Sequence, residues 1–375
     1  MKTISRKKSV VTGKANMEHL VTYEKFPVFI GCTDTPRAKD LLADMSFSIC
    51  PDSGSIQLDR LIPLDVLYSE YHSEAIGGLW REHHEAFIAF FSKFAPKNVL
   101  EIGGSNCFMA ERYLETAKDA VWTNVEPNPV ASNNPRITVI PKLFDADFSM
   151  KGPIDAIIHS HVIEHMYDPD AFLRTVSGFL REGSLHVFSL PDLDTYLEKG
   201  YSNCVNFEHS IFLTEYFVDY FLTKNGFKII KKKKFKGHSI FYATRKTTRQ
   251  KPLPLVSKYK EYKRRFLTYV KNNRKIVVNI NKKIKNKKGG VYLFGAHIFS
   301  QALLKSGLDA KRIRFVLDNS KIKQGKRLYG TGLLVQSPEI LASEKSPIII
   351  LRVGAYKKEI IDQIKKINLT AVFIE

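Results

Sequence analysis

Cysteine is scarce in this chain of 375 residues, and long apolar runs are missing. The four cysteines, Cys32, Cys50, Cys107 and Cys204, are widely scattered, which argues against a disulfide framework and favours reduced thiols. No stretch approaches the roughly 18 apolar residues that a membrane-spanning helix needs. The basic N-terminus is not followed by an apolar segment, so we expect no secretory signal. We therefore predict a soluble, cytoplasmic protein without a membrane span.

Acidic residues are nearly missing from one segment. Residues 244–288 contain 17 Lys and Arg but one acid, Glu261, and so carry +16 of the net charge of +20. One interpretation is a solvated basic linker. The other is an electrostatic attractor for an anionic partner such as a nucleotide diphosphate, a membrane surface or RNA. Because aromatic residues for base stacking are sparse there, we predict no nucleic-acid partner beyond weak electrostatic attraction.

Apolar strands alternate with amphipathic helices over the middle of the chain. Strands are predicted at 98–104, 120–127, 137–143, 154–161 and 184–191, helices at 75–94, 105–118, 170–180 and 214–225, and a closing antiparallel pair at 227–236 and 238–246. This alternation predicts an open, mostly parallel α/β sheet. A second, smaller set of alternating strands and helices begins at Gly289.

These patterns divide the chain into four segments. Residues 1–74 form a small N-terminal domain with an irregular sequence that is rich in residues that interrupt helices and strands. Residues 75–245 form the larger α/β domain. Residues 246–288 are a basic helical linker, with a helix at about 256–272, and 289–375 form a Rossmann-like α/β domain. The oligomeric state is left open by the sequence.

Two glycines, Gly103 and Gly104, follow the first strand of the larger sheet in VLEIGGSNCF. Open α/β sheets bind ligands at this edge, and glycine lets the backbone approach a ligand closely. Glu126 ends the second strand, where an acid can accept hydrogen bonds from both ribose hydroxyls. The dinucleotide pattern G-x-G-x-x-G is broken, because Ser105 and Phe108 replace its second and third glycines.

VLEIGG together with VEP resembles class I S-adenosylmethionine-dependent methyltransferases. The resemblance implies that S-adenosylmethionine binds here, giving S-adenosylhomocysteine as product, with Glu101 holding the methionine amino group. Asp145, in LFDADF, either contacts adenine or is an ordinary loop acid. His161, in SHVIEHMYDP, is interpreted as lining the cofactor cleft, with a catalytic role as the alternative.

The chain from about residue 28 onward resembles a three-part family of sugar C-methyltransferases, which act on nucleotide-linked ketosugars. LFGAHIFSQALL and FVLDNSKIKQGKRLYGTGLLVQSPEIL follow that family's C-terminal pattern. The resemblance implies a Rossmann-like class I methyltransferase domain between a zinc-binding N-terminal domain and a second Rossmann-like domain. The C-terminal domain either supports the nucleotide-sugar site or is a scaffold without a ligand of its own.

The N-terminal part departs from the family's paired CxxC zinc motif. In this chain the two motifs read Cys32-Thr-Asp-Thr35 and Cys50-Pro-Asp-Ser53, so each has lost its second cysteine. Hydroxyl groups are poor zinc ligands, and two thiolates remain where four are wanted. We therefore predict no zinc and no metal-binding residues.

The family's catalytic Y-H-E-H run aligns with NFEHSIFLTEYF. Glu208 and His209 match it, whereas Asn206 replaces its tyrosine. We predict His209 as the general base and Glu208 as the group that tunes it, with a salt-bridged surface pair as the alternative. Tyr71, like Tyr68, aligns with an aromatic pair near the sugar, although core packing explains both equally well.

The sequence thus predicts methyl transfer from S-adenosylmethionine to a carbon, or a hydroxyl, of a nucleotide-linked sugar in surface polysaccharide or deoxysugar biosynthesis. An O-methyltransferase for another small or lipid-linked acceptor is one alternative. A non-catalytic binding module with the cofactor fold is another, and an NAD-dependent sugar enzyme is disfavoured because GAHIFS is not G-x-G-x-x-G.

Overall fold

A computed structural model describes residues 2–69, 78–287 and 290–375. The chain forms two compact units. We call Gly77–Leu193 with Ile211–Val256 the central unit, and Met1–Ile76 with Asp194–Ser210 and Ser257–Glu375 the composite unit. The four-segment division predicted from the sequence stays a prediction.

In chain order, the strands are β1 (Ile4–Ser5), β2 (Glu18–Pro27), β3 (Cys32–Thr33), β4 (Leu42–Ile49), β5 (Ile56–Leu58), β6 (Arg60–Leu61), β7 (Asn98–Ile102), β8 (Val121–Val125), β9 (Ile137–Ile140), β10 (Ala156–Ser160), β11 (Leu185–Pro191), β12 (Phe227–Phe235), β13 (Ser239–Lys246), β14 (Val291–Phe294), β15 (Phe315–Leu317), β16 (Arg327–Leu328), β17 (Val335–Gln336), β18 (Ile348–Ile350) and β19 (Val372–Ile374).

The α-helices follow the same order. They are α1 (Leu64–Leu67), α2 (Gly78–Phe91), α3 (Phe108–Thr116), α4 (Pro169–Phe179), α5 (Leu193–Lys199), α6 (Glu215–Lys224), α7 (Tyr259–Ile284), α8 (Ile298–Lys305) and α9 (Lys357–Ile367). Within the described ranges, no helix combines the length and the apolar character that crossing a membrane requires.

The central unit is built on a seven-stranded sheet in the order β12-β13-β11-β10-β7-β8-β9. All neighbouring strands from β11 to β9 pair in parallel, and β13 runs antiparallel to both β11 and β12. The strand order reverses between β7 and β10, which is where such sheets bind ligands. The predicted mostly parallel sheet and its closing antiparallel pair are confirmed.

Helix α4 of the central unit follows from an amphipathic sequence with clear signals at its start. In α4, the side chain of Asp168 caps the helix by accepting a hydrogen bond of 2.9 Å from the amide of Ala171, and Pro169 begins the first turn. The buried face of α4 carries Phe172, Leu173 and Val176. The helix therefore packs an apolar stripe into the core beside the sheet.

The N-terminal part of the composite unit is not irregular, and that expectation is wrong. β2, β4 and β5 form an antiparallel three-stranded sheet whose inner face buries Met45, Phe47 and Ile49. The alternating pattern of β2 is hard to recognise because its register shifts twice, between His19 and Val21 and between Tyr23 and Phe26.

The C-terminal part of the composite unit contains a fully parallel sheet in the order β17-β15-β14-β18-β19. Its strands are short apolar runs such as β18, with Ile348, Ile349 and Ile350 all buried. The predicted second Rossmann-like sheet is confirmed.

Helix α7 is longer than predicted, since we expected it to end at about residue 272. It runs from Tyr259 to Ile284, because Val277 and Ile280 continue the apolar spacing of every three to four residues beyond that point. These two side chains and Ile284 are buried in a core cluster with residues of the parallel sheet. The greater part of the basic segment is therefore an amphipathic helix of the composite unit whose cations occupy the opposite face.

Candidate functional site

The glycine loop after β7 is a tight cradle. Gly103 has a φ of 75°, a conformation that favours glycine, and its amide donates a hydrogen bond of 2.9 Å to the carbonyl of Val125. A Cβ atom on Gly104 would lie 2.5 Å from Asn124 Oδ1 and 2.5 Å from the Cδ atom of Glu101. No larger residue fits at Gly104 without a shift of these side chains.

Glu101 has an unusual environment inside β7. Its side chain is buried, and Oε2 accepts a hydrogen bond of 2.8 Å from Nε1 of Trp122. Oε1 is also buried but has no hydrogen-bond partner among the described residues. Burial raises the pKa of Glu101 to about 8, against the lowering effect of the Trp122 hydrogen bond. An unpaired, buried carboxylate oxygen beside a glycine cradle fits a bound ammonium group.

Asn124 is a cofactor-loop residue that sequence reasoning missed. Its Oδ1 accepts a hydrogen bond of 3.0 Å from the amide of Gly104, and its Nδ2 lies 3.3 Å from the Sγ atom of Cys107. Cys107 is buried with a φ of 58°, so its side chain packs inward while its backbone adopts a conformation typical of glycine. The sequence clue was an asparagine inside a short strand, VWTNV.

Glu126 and Asp145 lie beyond the carboxyl ends of β8 and β9. The Oε1 atom of Glu126 accepts a hydrogen bond of 3.1 Å from the amide of Asn128, and the side chain is partly exposed. Asp145 is exposed, and its Oδ1 accepts a hydrogen bond of 3.0 Å from the amide of Asp147. Both carboxylates retain free acceptor capacity, and their assignment to ribose and adenine stays a prediction.

His161 follows β10 directly and has a left-handed backbone conformation, with a φ of 55°. Its amide donates a hydrogen bond of 2.9 Å to the carbonyl of Ser189. Its Nδ1 lies 2.9 Å from Oε1 of Glu164, and its Nε2 lies 3.0 Å from the hydroxyl of Ser239. A strained, doubly anchored histidine at the ligand-binding edge is typical of functional sites.

The predicted catalytic residues 206–209 belong to the composite unit. Asn206 is buried; its Oδ1 accepts a hydrogen bond of 2.8 Å from the amide of His209, and its Nδ2 donates one of 3.2 Å to the carbonyl of Asn203. Glu208 and His209 are both partly exposed. The structure therefore gives Asn206 a positioning contact to His209, and the catalytic roles of the three residues stay predictions.

The structure describes one of the two tyrosines that the sequence predicts near the sugar. Tyr71 lies outside the described residues. Tyr68 is described and is 40% exposed, so packing in the core does not explain its presence.

The thiols of the two degenerate cysteine motifs have different environments. Burial raises the pKa of the Cys32 thiol to about 12. For Cys50, burial alone raises the pKa, but hydrogen bonds with Ser53, Thr12 and Ser9 outweigh this effect and lower it. In the described part of the chain, neither thiol belongs to a cluster of three or more potential metal ligands.

Comparisons with known proteins bear on both halves of the chain. Residues 75–232 match a family described as a methyltransferase domain, and residues 234–373 match a family described as a C-methyltransferase C-terminal domain. No curated protein sequence gave a match.

Solved structures of low sequence identity also resemble part of the chain. They include the S-adenosylmethionine-dependent methyltransferase SibL (14% identity, 44% of this chain, 55% of that chain, TM-score 0.39). A second is the N-methyltransferase NodS from Bradyrhizobium japonicum WM9 (16% identity, 45% of this chain, 96% of that chain, TM-score 0.34). A third is human N-acetylserotonin methyltransferase in complex with SAM (18% identity, 45% of this chain, 53% of that chain, TM-score 0.39). The chain spans about half the length of SibL and of the human protein.

The family matches agree with the sheet order of the central unit and with the glycine cradle that follows β7. The predicted Rossmann-like fold is confirmed. The chain therefore contains a methyltransferase domain, residues 75–232, followed by a C-methyltransferase C-terminal domain, residues 234–373.

Proposed function

We propose that this enzyme transfers the methyl group to a carbon of a nucleotide-linked sugar in the cytoplasm, in surface polysaccharide or deoxysugar biosynthesis. The observation that carries the proposal is the match of residues 234–373 to a C-methyltransferase C-terminal domain. The resemblance of the same residues to sugar C-methyltransferases supports the choice of acceptor. Transfer to a hydroxyl of such a sugar is the variant that the product analysis below distinguishes.

S-adenosylmethionine, when bound, supplies an electrophilic methyl group. Glu101 would bind its amino group, since Oε1 is the buried acceptor without a partner among the described residues. Gly103 and Gly104 would let the backbone approach, Glu126 would accept hydrogen bonds from the ribose hydroxyls, and Asp145 would contact the adenine.

His209 is the proposed general base. A carbon acceptor beside a ketone must lose a proton, and a histidine suits that task near neutral pH. Glu208 would tune the basicity and orientation of this imidazole. Asn206 would fix the turn that carries it, because its carboxamide bonds to the backbone of both His209 and Asn203. Asn206 is thus proposed as a positioning residue, whereas the family tyrosine is lost.

The basic face of α7 supports an anionic acceptor. Its cations include Lys271, Arg274 and Lys275, which line a cavity of about 610 Å³ together with apolar residues of β2 and α7. Positive charge beside an apolar wall attracts a nucleotide diphosphate without requiring sequence-specific base contacts. We retain an O-methyltransferase for another small or lipid-linked acceptor as the second candidate, since Asn206 departs from the family tyrosine.

The experiment is a turnover assay with S-adenosylmethionine and a panel of nucleotide-linked ketosugars and their reduced, hydroxyl-only counterparts. Release of S-adenosylhomocysteine with the ketosugars alone would support carbon methylation. Release with the reduced sugars alone would support a hydroxyl acceptor. Tight cofactor binding without turnover on any nucleotide-linked sugar would count against the proposed acceptor class.

A further inference from the structure

Three histidine side chains of the central unit converge near the carboxyl edge of its sheet. His83 projects from α2, His161 follows β10, and His238 lies in the turn before β13. Their ring centroids are 5.2 Å (His83 to His161), 5.5 Å (His83 to His238) and 5.6 Å (His161 to His238) apart. One nitrogen from each ring lies within 4.8 Å of one nitrogen from each of the others.

His83 is the least satisfied member of this histidine cluster. It is fully buried, and neither Nδ1 nor Nε2 has a hydrogen-bond partner among the described residues. Aromatic rings surround it, including Trp80, Phe235 and Phe241. Burying an imidazole without a polar partner destabilises the protein, so a ligand for its lone pair would remove that cost.

The other two imidazoles are already oriented. The hydroxyl of Ser239 lies 3.0 Å from Nε2 of His161 and 2.6 Å from Nδ1 of His238. The carboxylate of Glu164 lies 2.9 Å from Nδ1 of His161. This contact with the Glu164 carboxylate engages Nδ1 and leaves Nε2, which faces Ser239, as the nitrogen of His161 that would bind a metal. This carboxylate–histidine pair is the arrangement that commonly supports a metal-ligating imidazole.

We propose that His83, His161 and His238 bind one zinc ion. Imidazole nitrogen is a preferred ligand of zinc, and three histidines leave a fourth position for a non-protein ligand. At Zn–N distances of about 2.0–2.1 Å, tetrahedral ligand atoms are roughly 3.4 Å apart, so the nitrogens must approach one another by at most about 1.4 Å. Binding of the ion therefore requires the three rings to rotate toward one another.

The zinc ion links three elements that are distant in sequence. It joins α2 to the end of β10 and to the β12–β13 turn, and it fixes the ring of the strained His161. For His161, this metal-binding role is additional to the predicted lining of the cofactor cleft. The site is distinct from the degenerate cysteine motifs, because His83, His161 and His238 belong to the central unit and Cys32 and Cys50 to the composite unit.

The test uses Co²⁺ as a spectroscopic probe on the full chain after dialysis against a chelator. One equivalent should bind, with visible d–d bands of nitrogen coordination and without the thiolate-to-cobalt charge-transfer band of a cysteine site. The variants His83→Gln and His238→Gln should each lose at least tenfold in affinity. His84→Gln, a change in the neighbouring residue of α2 that is not one of the three ligands, should bind Co²⁺ like the wild type.

Two further measurements distinguish the loss of a ligand from the loss of the fold. Circular dichroism of each variant checks that α2 and the sheet are folded, and X-ray absorption of the Zn²⁺-loaded wild type gives the ligand atoms without any variant. A shell of nitrogen ligands with imidazole scattering supports the site. No Co²⁺ binding by the wild type, sulfur ligands, or undiminished binding by both folded variants would overturn it. Binding is measured without cofactor or sugar, so its failure is separate from failure of the proposed acceptor.

Discussion

Trp122 Nε1 donates a 2.8 Å hydrogen bond to Oε2 of Glu101, and this contact leaves Oε1 of the same carboxyl buried without a partner among the described residues. Burial disfavours the charged form more strongly than the indole stabilises it, so the pKa of Glu101 rises to about 8. The free protein at neutral pH therefore holds a protonated glutamic acid at the proposed cofactor site, and an ammonium ligand would favour its ionisation.

The first prediction concerns stability and pH. The pKa of Glu101 is about 8 in the folded protein and 4.5 as its ordinary value, so the folded state keeps a proton that the unfolded state has released. Its contribution to the free energy of unfolding falls as pH rises from about 4.5 to about 8, by at most about 1.4 kcal/mol per pH unit. In Glu101→Gln, thermal unfolding measured across this range should lose that component, and an unchanged pH profile would contradict the assigned burial.

The second prediction concerns proton release on binding. Below about pH 8, binding of S-adenosylmethionine should release a proton from Glu101 because the ammonium group stabilises the carboxylate. Calorimetry in buffers of different ionisation enthalpy measures that proton. Glu101→Gln should bind without the release and about 10–100-fold more weakly, since a hydrogen bond to a charged group contributes about 1.5–3 kcal/mol. Equal affinity of the variant would exclude the proposed contact.

The third prediction uses two glycines of the central unit. In Gly104→Ala the new Cβ would lie 2.5 Å from Asn124 Oδ1, so we expect a loss of about 1–3 kcal/mol and weakened cofactor binding. The control is Gly178→Ala in α4, where the new Cβ would meet no described atom within 4 Å apart from its chain neighbours and the backbone of its own helix. It should raise stability by up to about 1 kcal/mol and leave binding unchanged. Thermal melts and cofactor titration measure both, and equal behaviour of the two variants would disprove the cradle.

The fourth prediction concerns the proposed base. His209→Ala should lower kcat by about 10²–10⁴-fold while the affinity for S-adenosylmethionine stays the same. The matched control is His19→Ala, an exposed histidine of the composite unit that belongs to neither proposed site. Steady-state kinetics and calorimetry on both variants separate catalysis from binding. A near-wild-type kcat in His209→Ala would eliminate this residue as the base.

The fifth prediction concerns the composite unit, where Asp40 and Arg327 form a largely buried bidentate pair, with side-chain exposures of 2% and 11% and contacts of 2.6 and 2.8 Å. Asp40→Ala leaves the guanidinium without its carboxylate, and we expect a loss of about 3–5 kcal/mol, measured as a lower melting temperature. Asp34→Ala removes an exposed partner of Lys326 at 3.4 Å and should change the melting temperature little. A similar effect of both variants would show that the buried pair has no special role.

The sheets of the central unit and of the C-terminal part were predictable because their strands are apolar runs. The features of the fold that were not predicted have physical causes. We expected the helix of the basic segment to end near Asn272, but α7 continues to Ile284. Asn273 is buried inside it, and its Nδ2 donates to the carbonyl of Tyr269. The sheet of β2, β4 and β5 was missed because two register shifts break the alternation of β2.

Much of the candidate site could also be derived from local sequence. Glu101, Gly103 and Gly104 were identified because a strand, a turn and a helix follow one another within a few residues. The histidine cluster had no such pattern, since His83, His161 and His238 come from three elements that the fold brings together. Asn124 was missed because its importance depends on the approach of the Gly104 amide across neighbouring strands.

The position of the transferred methyl group in the product tests carbon methylation of a nucleotide-linked sugar most directly. The wild-type enzyme would be incubated with S-adenosylmethionine carrying an isotopically labelled methyl group and with the best nucleotide-linked ketosugar of the panel, and the product analysed by nuclear magnetic resonance. We predict a methyl group bonded to the carbon beside the ketone, formed in the wild type and not in His209→Ala. A labelled methoxy group on the sugar would contradict carbon as the acceptor.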